Sequence, residues 1–446
     1  MKTPPTLRTR REFIRTGVLG GALSWTVPAF LANTFSALQA EAAGSATQTA
    51  TGKDGSILVV LQMAGGNDGL NTVVPYANDF YRRARPSIGL ASSDILKIND
   101  EIGLHPSLTG FKHLYDAGQL SVVQGAGYPN PNRSHFRSTE IWQTASDSNK
   151  FAASGWIGRY FDSACRGADP TVGVNIGQQM PQAFSSKTPT GVCLSNPQSY
   201  RYMTGGRARD GEMNSDEKSF RELNQPEDMA AVGSDNSGGS IGAIHGPTAH
   251  PGSVMDFLER TALDAQVSSD KILAITKRVE NQATYPASAL GNSLKLVAQL
   301  IAGGLPTRVF YVSQGGYDTH ANQTGQQQRL LKDLGDSVKS FVDDLTAQGN
   351  FQRVLLMTFS EFGRRVAENA NGGTDHGAAA PLFVTGHKVK SGLHGKYPSL
   401  APADLFEGDL VHNVDFRSVY AGVLEEWLKT KSEPILGRKF KPLSLV

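Results

Sequence analysis

Runs of consecutive hydrophobic residues mark the predicted strands of this chain. Three of them, Ile57–Met63 (ILVVLQM), Arg308–Gln314 (RVFYVSQ) and Arg353–Phe359 (RVLLMTF), lack the regular polar alternation of a strand with one exposed face. Such runs are typical of parallel strands that are covered on both faces. Shorter runs predict further strands at Leu120–Gln124, Val172–Ile176 and Pro381–Thr385.

A helical pattern fills the interval between two of these strands. Apolar residues recur there at helical spacing and lie on one face of a helix; they are Leu330, Leu334, Val338, Phe341 and Leu345. A strand, a helix and a second strand of this length form a βαβ unit, in which the two strands run parallel. The sequence therefore predicts an α/β fold with a mostly parallel central sheet and helices on both faces.

The N-terminus follows a different pattern. Arg10 and Arg11 precede an apolar stretch, Val18–Leu38, and Ala40-Glu41-Ala42 follows it. This order of charge, apolar run and small-x-small site is typical of a twin-arginine (Tat) export signal, and a helix that happens to begin with two arginines is the alternative. Glycine, serine and proline interrupt the apolar stretch, so we expect no stable membrane span.

These features predict the organisation of the whole chain. We expect a signal peptide over residues 1–42 and a single domain over residues 43–446. A segment rich in glycine, serine and charged residues predicts a loop-rich insertion around residues 204–252. The Tat translocase is then a partner during export, and the mature protein is expected in the periplasm or outside the cell.

Composition narrows the classes of partner. The 446 residues include 43 Lys and Arg against 41 Asp and Glu, with no block of like charge, which argues against a nucleic-acid partner. Hydrophobic residues make up 39% of the chain, enough for a sizeable core. Cys165 and Cys193 lie in no metal-binding spacing, so one disulfide or two separate thiols are both compatible with the sequence.

Acidic and histidine side chains follow or precede several of the predicted strands. Ligands of open α/β sheets bind beyond the carboxyl ends of the strands, so we expect these side chains at one rim of the sheet. Each alone could be a turn residue, a helix cap, a surface pair or a loop residue. Together they predict a divalent metal site, with Zn²⁺ or Mn²⁺ favoured by mixed imidazole and carboxylate ligands and Ca²⁺ or Mg²⁺ by carboxylates alone. They are Asp68 (AGGNDG), Asp318 and His320 (GGYDTH), Glu361 (SEFGR), and Asp375 and His376 (GTDHG).

A candidate nucleophile precedes another predicted helix. Ser134 lies in NPNRSHF, directly before the helical stretch STEIWQTA. The N-terminus of a helix favours anionic groups, and Arg133 could bind the oxygens of a phosphate or sulfate. The alternative is that Ser134 is only the N-cap of that helix.

Several of these motifs together resemble an exported protein family. The Tat signal, LQMAGGNDGLNTVVPY, NRSHFRSTEIW, GGYDTHANQ, FSEFGRR and GTDHG are similar to the family known as domain of unknown function 1501, from about residue 55 to the C-terminus. That family in turn resembles a distant branch of the alkaline phosphatase and sulfatase superfamily. The resemblance implies an alkaline phosphatase/sulfatase-like fold, metal ligands at Asp68, Asp318, His320 and His376, and a Ser134 nucleophile.

The sequence departs from the superfamily pattern at two places. Phe362 stands where a histidine ligand of a second metal is expected, and His320 follows Asp318 by only two residues. One ion, two ions or a degenerate site therefore all remain compatible with the motifs.

These observations predict an exported metal-dependent hydrolase of small-molecule or polymeric phosphate or sulfate esters. The alternative is a non-catalytic exported binding protein that retains the fold, which the Phe362 departure favours. An exported redox enzyme is a third hypothesis and rests on the Tat signal alone.

Overall fold

The computed structural model describes residues 55–166, 168–187, 190–197 and 268–446. The predicted signal peptide at residues 1–42 and the predicted insertion around residues 204–252 lie outside these ranges. Apart from Ser268 and Ser269, the described residues all belong to one compact unit, formed by Ala46–Ser199 with Asp270–Val446.

A mixed sheet forms the centre of this compact unit. Its strands are β1 (Ile57–Met63), β5 (Leu120–Gly127), β6 (Gly173–Ile176), β7 (Val192–Leu194), β8 (Val309–Gln314), β9 (Val354–Phe359), β10 (Ala380–Gly386), β11 (Gly392–His394) and β12 (Val414–Asp415). They lie in the order β11-β5-β10-β9-β1-β8-β6-β7, and β12 pairs with β5. A small second sheet contains β2 (Val73–Val74), β3 (Leu96–Lys97) and β4 (Gly103–Leu104).

Strand direction explains where the loops meet. β1 lies between β8 and β9 and is parallel to both, whereas β10 is antiparallel to its neighbours β9 and β5. The ends of β1, β8 and β9 and the start of β10 therefore share one edge of the sheet. The predicted α/β fold with a mostly parallel central sheet is confirmed, and β10 is the antiparallel strand of the described central sheet.

Helices cover both faces of this sheet. The described helices include α1 (Asp79–Ala84), α2 (Thr109–Asp116), α3 (His135–Thr144), α4 (Trp156–Ala164), α5 (Ala289–Ala302), α6 (Gln323–Ala347), α7 (Phe416–Gly422) and α8 (Glu433–Leu436), and residues 268–278 are also helical. Residues of α3, α4 and α7 share one core with Leu382 and Val384 of β10. On the opposite face, Phe111 of α2 packs edge-on against Phe383, with ring centroids 4.9 Å apart.

The 25-residue helix α6 carries the stripe that the sequence predicts. Leu334, Val338, Phe341 and Leu345 are buried, since they face the core at successive turns, whereas Leu330 of the predicted stripe is half-buried and its neighbour Leu331 is buried instead. Cys165 and Cys193 are both free thiols. In the part of the chain that the structure describes, no helix has the length and apolar character to cross a membrane.

Candidate metal centre

Three histidines surround the carboxylate of Asp318 at the shared edge of the sheet. The ligand atoms of His135, Asp318 and His376 all lie within 4.8 Å of one another. His376 Nε2 is 3.1 Å from Asp318 Oδ1, and His135 Nε2 is 3.4 Å from Asp318 Oδ2. His320 Nε2 lies 3.1 Å from the same Oδ1 and 2.9 Å from His376 Nε2. These four side chains therefore form one cluster.

The other ring nitrogen of each histidine faces a hydrogen-bond acceptor. The Nδ1 atoms of His135, His320 and His376 lie near Glu361 Oε1 (2.8 Å), Asp375 Oδ1 (3.2 Å) and the Arg133 carbonyl oxygen (2.8 Å), respectively. Because these partners accept hydrogen bonds, each Nδ1 carries the proton, and each Nε2 of a neutral ring presents a lone pair to the cluster. Metal-binding histidines are commonly oriented in this way by carboxylates and backbone carbonyls.

The spacing of the facing atoms suits a bound cation. Lone pairs and a carboxylate that converge without protons repel one another, and the buried Nε2 of His135 has no hydrogen-bond partner. Four ligands at 2.0–2.1 Å from a tetrahedral ion lie about 3.3 Å apart. The His320 and His376 Nε2 atoms lie 2.9 Å apart and each is 3.1 Å from Asp318 Oδ1, and His135 Nε2 is 3.4 Å from Asp318 Oδ2. His135, Asp318 and His376, whose ligand atoms all lie within 4.8 Å of one another, therefore suit a divalent ion that binds nitrogen and oxygen, such as Zn²⁺, and His320 contacts two of these three residues.

A buried arginine orients Asp318. Arg364 is almost fully buried, and its Nη2 lies 2.7 Å from Asp318 Oδ1. Its remaining N–H groups donate to carbonyl oxygens of the loop after β1, the loop after β8 and the segment before β10, namely those of Gly65, Gly66, Tyr317 and Thr374. The guanidinium thus joins the loops that carry the cluster.

This arrangement keeps the Asp318 carboxylate charged. Burial alone raises the pKa of Asp318, but its contacts with Arg364 and His376, led by the hydrogen bond from Arg364, outweigh that effect and hold the pKa at about 2. The side chain of Asp318 is nevertheless about half exposed, so the cluster opens to solvent. A substrate can therefore approach it from outside.

Glu361 and Asp375 support two of the imidazoles. Glu361 is buried and accepts hydrogen bonds from the Gly65 amide at 2.8 Å and from His135. The hydrogen bond to Glu361 raises the pKa of His135 above its usual value. At Asp375, hydrogen bonds from Asn369 and His320 lower the pKa of the carboxyl group. Both predicted ligands thus contact histidines of the cluster.

Two glycines let the loop after β1 approach the cluster. Gly65 has a φ of +119°, and a Cβ built on it would lie 2.5 Å from the Asp318 backbone nitrogen. Gly66 has a φ of +75°, and its Cβ would lie 2.3 Å from the ring of Phe362. Only glycine fits both the conformation and the space at these positions.

Phe362 forms an apolar wall beside two of the histidines. Its ring centroid lies 4.8 Å from that of His135 and 4.6 Å from that of His376. The residue is buried, so its ring packs against both imidazoles and restricts them.

The side-chain contacts of Asp68 are with Arg85, Asn71 and Gln323, and none of these residues belongs to the cluster. The Asp68 side chain is fully buried, and its Oδ2 forms an ion pair with Arg85 Nη1 at 2.6 Å. Oδ1 accepts from the Asn71 amide, and the Gln323 side chain donates to Oδ2. All of these contacts lie within the protein interior beneath the loops.

Ser134 and Arg133 lie next to the cluster through His135. Ser134 is exposed at the N-terminus of α3, and its side chain makes no capping hydrogen bond. The Arg133 guanidinium contacts Asp409 at 2.7 Å and Glu407 at 3.1 Å, and its carbonyl oxygen holds His376. Serine and imidazole thus share one helix start, while the neighbouring arginine is engaged by two carboxylates.

A family model identifies the group of proteins to which this sequence belongs. The model described as "Protein of unknown function (DUF1501)" matches residues 56–436, which is most of the chain. The chain belongs to the DUF1501 family. The comparison of this DUF1501 sequence with curated proteins gave no match.

Some solved structures show distant similarity to the DUF1501 chain. A sulfatase from Pseudoalteromonas sp. is 10% identical, with 84% of this chain and 70% of that one covered and a TM-score of 0.31. The lipoteichoic acid synthase LtaP from Listeria monocytogenes is 8% identical, with 82% and 72% covered and a TM-score of 0.31. The C-terminal periplasmic domain of EcEptC from Escherichia coli, in a complex with Zn, is 11% identical, with 77% and 78% covered and a TM-score of 0.29. Similarity this low assigns no activity.

Two residues of this DUF1501 site are not among those predicted from the sequence. His135 directly follows the candidate nucleophile Ser134, and its place at the start of the helix was the available signal. Arg364 carried no such signal, because an arginine in a loop after a strand is usually exposed. Its burial depends on the carbonyl oxygens that three separate loops direct towards it.

Proposed function

We propose that this DUF1501 protein is an exported, metal-dependent hydrolase of phosphate or sulfate esters, and a distant branch of the alkaline phosphatase and sulfatase superfamily. The supporting observation is the convergence of three Nε2 atoms, each oriented through its own Nδ1 hydrogen bond, on Asp318 beside the exposed Ser134. The twin arginines at Arg10 and Arg11 support export.

His135, His320, His376 and Asp318 would hold the ion. When bound, a divalent ion lowers the pKa of an oxygen nucleophile and neutralises charge on the group being transferred. Glu361 and Asp375 contact the outer nitrogens of two ligands and would fix their orientation. The three imidazoles favour Zn²⁺ over Ca²⁺ or Mg²⁺, which prefer oxygen ligands.

Ser134 would act as the nucleophile. Its Oγ would attack phosphorus or sulfur while the bond to the alcohol oxygen breaks, and the serine proton would pass to the departing alcohol. Water would then hydrolyse the serine ester and release phosphate or sulfate. The amides of the first turn of α3 are not capped by the Ser134 side chain, so they are available to anionic oxygens.

Arg133 would bind a substrate oxygen through one side of its guanidinium. Its partner Asp409 is almost fully buried, whereas Glu407 is 62% exposed. A substrate anion would therefore replace Glu407 at Nη1, and Asp409 would continue to hold the opposite side of the guanidinium.

A non-catalytic binding protein is the second candidate. Phe362 lies against His135 and His376 where the superfamily pattern has a further metal ligand, and this replacement favours binding without turnover. Such a protein would hold the ion and an anion but would not cleave an ester.

Metal content and turnover measured on the same variants separate these functions. The mature protein is analysed by elemental mass spectrometry and assayed with 4-nitrophenyl phosphate and 4-nitrophenyl sulfate after loading with Zn²⁺, Mn²⁺, Ca²⁺ or Mg²⁺. Asp318→Asn is expected to lose both metal and turnover, and Ser134→Ala to lose turnover but retain metal. Ser93→Ala removes a hydroxyl from an exposed serine that contacts Asp94 and serves as the matched control.

Two results would overturn the hydrolase proposal. Wild-type protein that binds no metal even after reloading would remove its basis. Stoichiometric metal without cleavage of either ester would favour the binding protein instead.

A further inference from the structure

The large hydrophobic side chains that are exposed in the described part of the chain lie in two segments only. Phe136 is 93% exposed, Phe151 82%, Phe406 57% and Val411 47%. Single exposed hydrophobic residues are normal on a protein surface, but Phe151 contacts Arg137, and Phe406 pairs with Asp409, which binds Arg133. We call these four residues the apolar rim.

The first segment adjoins the candidate metal centre through the start of α3. Phe136 follows His135 directly and lies two residues after Ser134. The guanidinium of the next residue, Arg137, lies over the ring of Phe151 at 4.2 Å. Arg137 also donates to backbone oxygens of residues 147, 148 and 150, which holds this loop against the helix.

The second segment is tied to the same place through Arg133. Phe406 and Asp409 form an antiparallel bridge around a tight turn in which Glu407 and Gly408 both have positive φ. Arg133 binds Glu407 and Asp409, so Phe406 adjoins a residue that contacts the arginine before Ser134. Val411 follows two residues after Asp409.

The charged and polar groups of the candidate metal centre adjoin the apolar rim along the chain. The anionic head of an ester would lie at the imidazoles and at Arg133, which are the polar groups. Phe136 follows the cluster residue His135 at the start of α3 and is 93% exposed, so it offers an apolar surface to an organic group attached to that head. Burying an aromatic face removes apolar surface from water and so favours such a ligand.

We propose that the apolar rim binds the alcohol portion of the substrate, and that the substrates are phosphate or sulfate monoesters of bulky alcohols with an apolar ring. This inference rests on the proposed function for the position of the anionic head. Esters of short alcohols such as ethanol would end before reaching the rim and would gain nothing from it.

Binding measurements on the metal-loaded mature protein carrying Ser134→Ala test the rim apart from catalysis, because this variant is expected to retain metal without cleaving the ester. The probes are 1-naphthyl phosphate, 1-naphthyl sulfate, inorganic phosphate, inorganic sulfate and 1-naphthol, each titrated by calorimetry. In this background, into which the rim substitutions are also introduced, we expect the preferred naphthyl ester to bind about tenfold more tightly than its inorganic anion. The two esters distinguish phosphate from sulfate as the anionic head.

Substitutions in the apolar rim should weaken only the binding of the naphthyl ring and not that of the anionic head. Phe136→Ser and Phe406→Ser are each expected to weaken naphthyl ester and 1-naphthol binding by about fivefold and to leave the inorganic anion unchanged. Phe136→Leu is the matched control, because it keeps an apolar side chain and should retain most of the affinity.

Three outcomes would overturn the inference. The first is unchanged naphthyl ester binding in both serine variants, and the second is an equal loss for the ester and the inorganic anion. The third is a change of oligomeric state in the serine variants while the ratio of the affinities for the naphthyl ester and the inorganic anion stays unchanged. This result would assign the rim to contact with a second copy of the chain. Wild-type protein that binds 1-naphthol but no anion would contradict the proposed function, while the 1-naphthol titrations of the variants would still decide the role of the rim.

Discussion

Replacement of Asp68 by asparagine is expected to weaken the fold and to leave metal binding unchanged. The sequence motif AGGNDG predicts this residue as a metal ligand, whereas the structure pairs it with Arg85 inside the protein. The substitution preserves the size of the side chain and removes its charge. It therefore distinguishes a ligand from one half of a buried ion pair.

The contacts of the pair give the expected magnitude. Both side chains are completely buried, and loss of one partner from such a pair costs about 3–5 kcal/mol. Arg85 retains three neutral acceptors at 2.9 Å, namely the carbonyl oxygens of Val366 and Arg365 and the Asn71 side chain. These contacts and the remaining amide oxygen place the loss at the lower end, about 3 kcal/mol.

Urea unfolding of metal-free protein measures this loss without the added stability that a bound ligand provides. Metal content is then determined on reloaded samples of the same preparations. Asp94→Asn is the matched control, because Asp94 is exposed and its replacement should change the unfolding free energy by less than about 0.5 kcal/mol. Loss of bound metal from Asp68→Asn with unchanged stability would refute the reasoning.

Two further predictions concern the residues that hold the histidines. In the metal-free protein, His135 should titrate above its usual pKa because of the hydrogen bond to Glu361. The contact between the charged imidazole and Glu361 therefore stabilises the fold fully below about pH 6.5, and this contribution is lost as the pH rises through the raised pKa of His135. Glu361→Gln should move the midpoint back towards the usual value in an NMR titration, and an unmoved midpoint would contradict the assigned cause. Asp409→Asn should lower metal affinity about tenfold in a chelator competition, because Asp409 anchors Arg133, whose carbonyl oxygen holds a ligand imidazole. Glu407→Gln, which alters the exposed partner of the same arginine, should have an effect of less than about twofold, and equal effects of the two variants would count against this positioning role.

The longer strands of the central sheet could be predicted because their signal is local, whereas β7, β11 and β12, of two or three residues each, were not predicted. Ile57–Met63 is an uninterrupted apolar run, and the observed β1 has the same bounds. Such a run is stable only where both faces are covered, so its composition already implies helices on either side. Parallel strands then place their carboxyl ends at one edge, which is why Asp318, Glu361 and His376 were expected near one another.

The outcome at Asp68 depended on contacts that no spacing reveals. Asp68 and Asp318 both follow a strand and both pair with a buried arginine, but the Asp68 side chain is fully buried with its arginine, whereas that of Asp318 is about half exposed. Arg85 is 17 residues away in the chain and belongs to the segment after α1, so the pairing is a product of the fold.

The sequence by itself determined the α/β architecture, the edge of the sheet where the acidic and histidine side chains gather, and the family. Hydrophobic patterning and the order of the elements are sufficient for the first two, and the family follows from the motifs that resemble DUF1501. Only the tertiary structure decided that His135 joins the cluster, that Arg364 is buried beneath it and that Asp68 is not among its contacts. Each of these depends on which partner satisfies a polar group once water is excluded, and those partners come from distant parts of the chain.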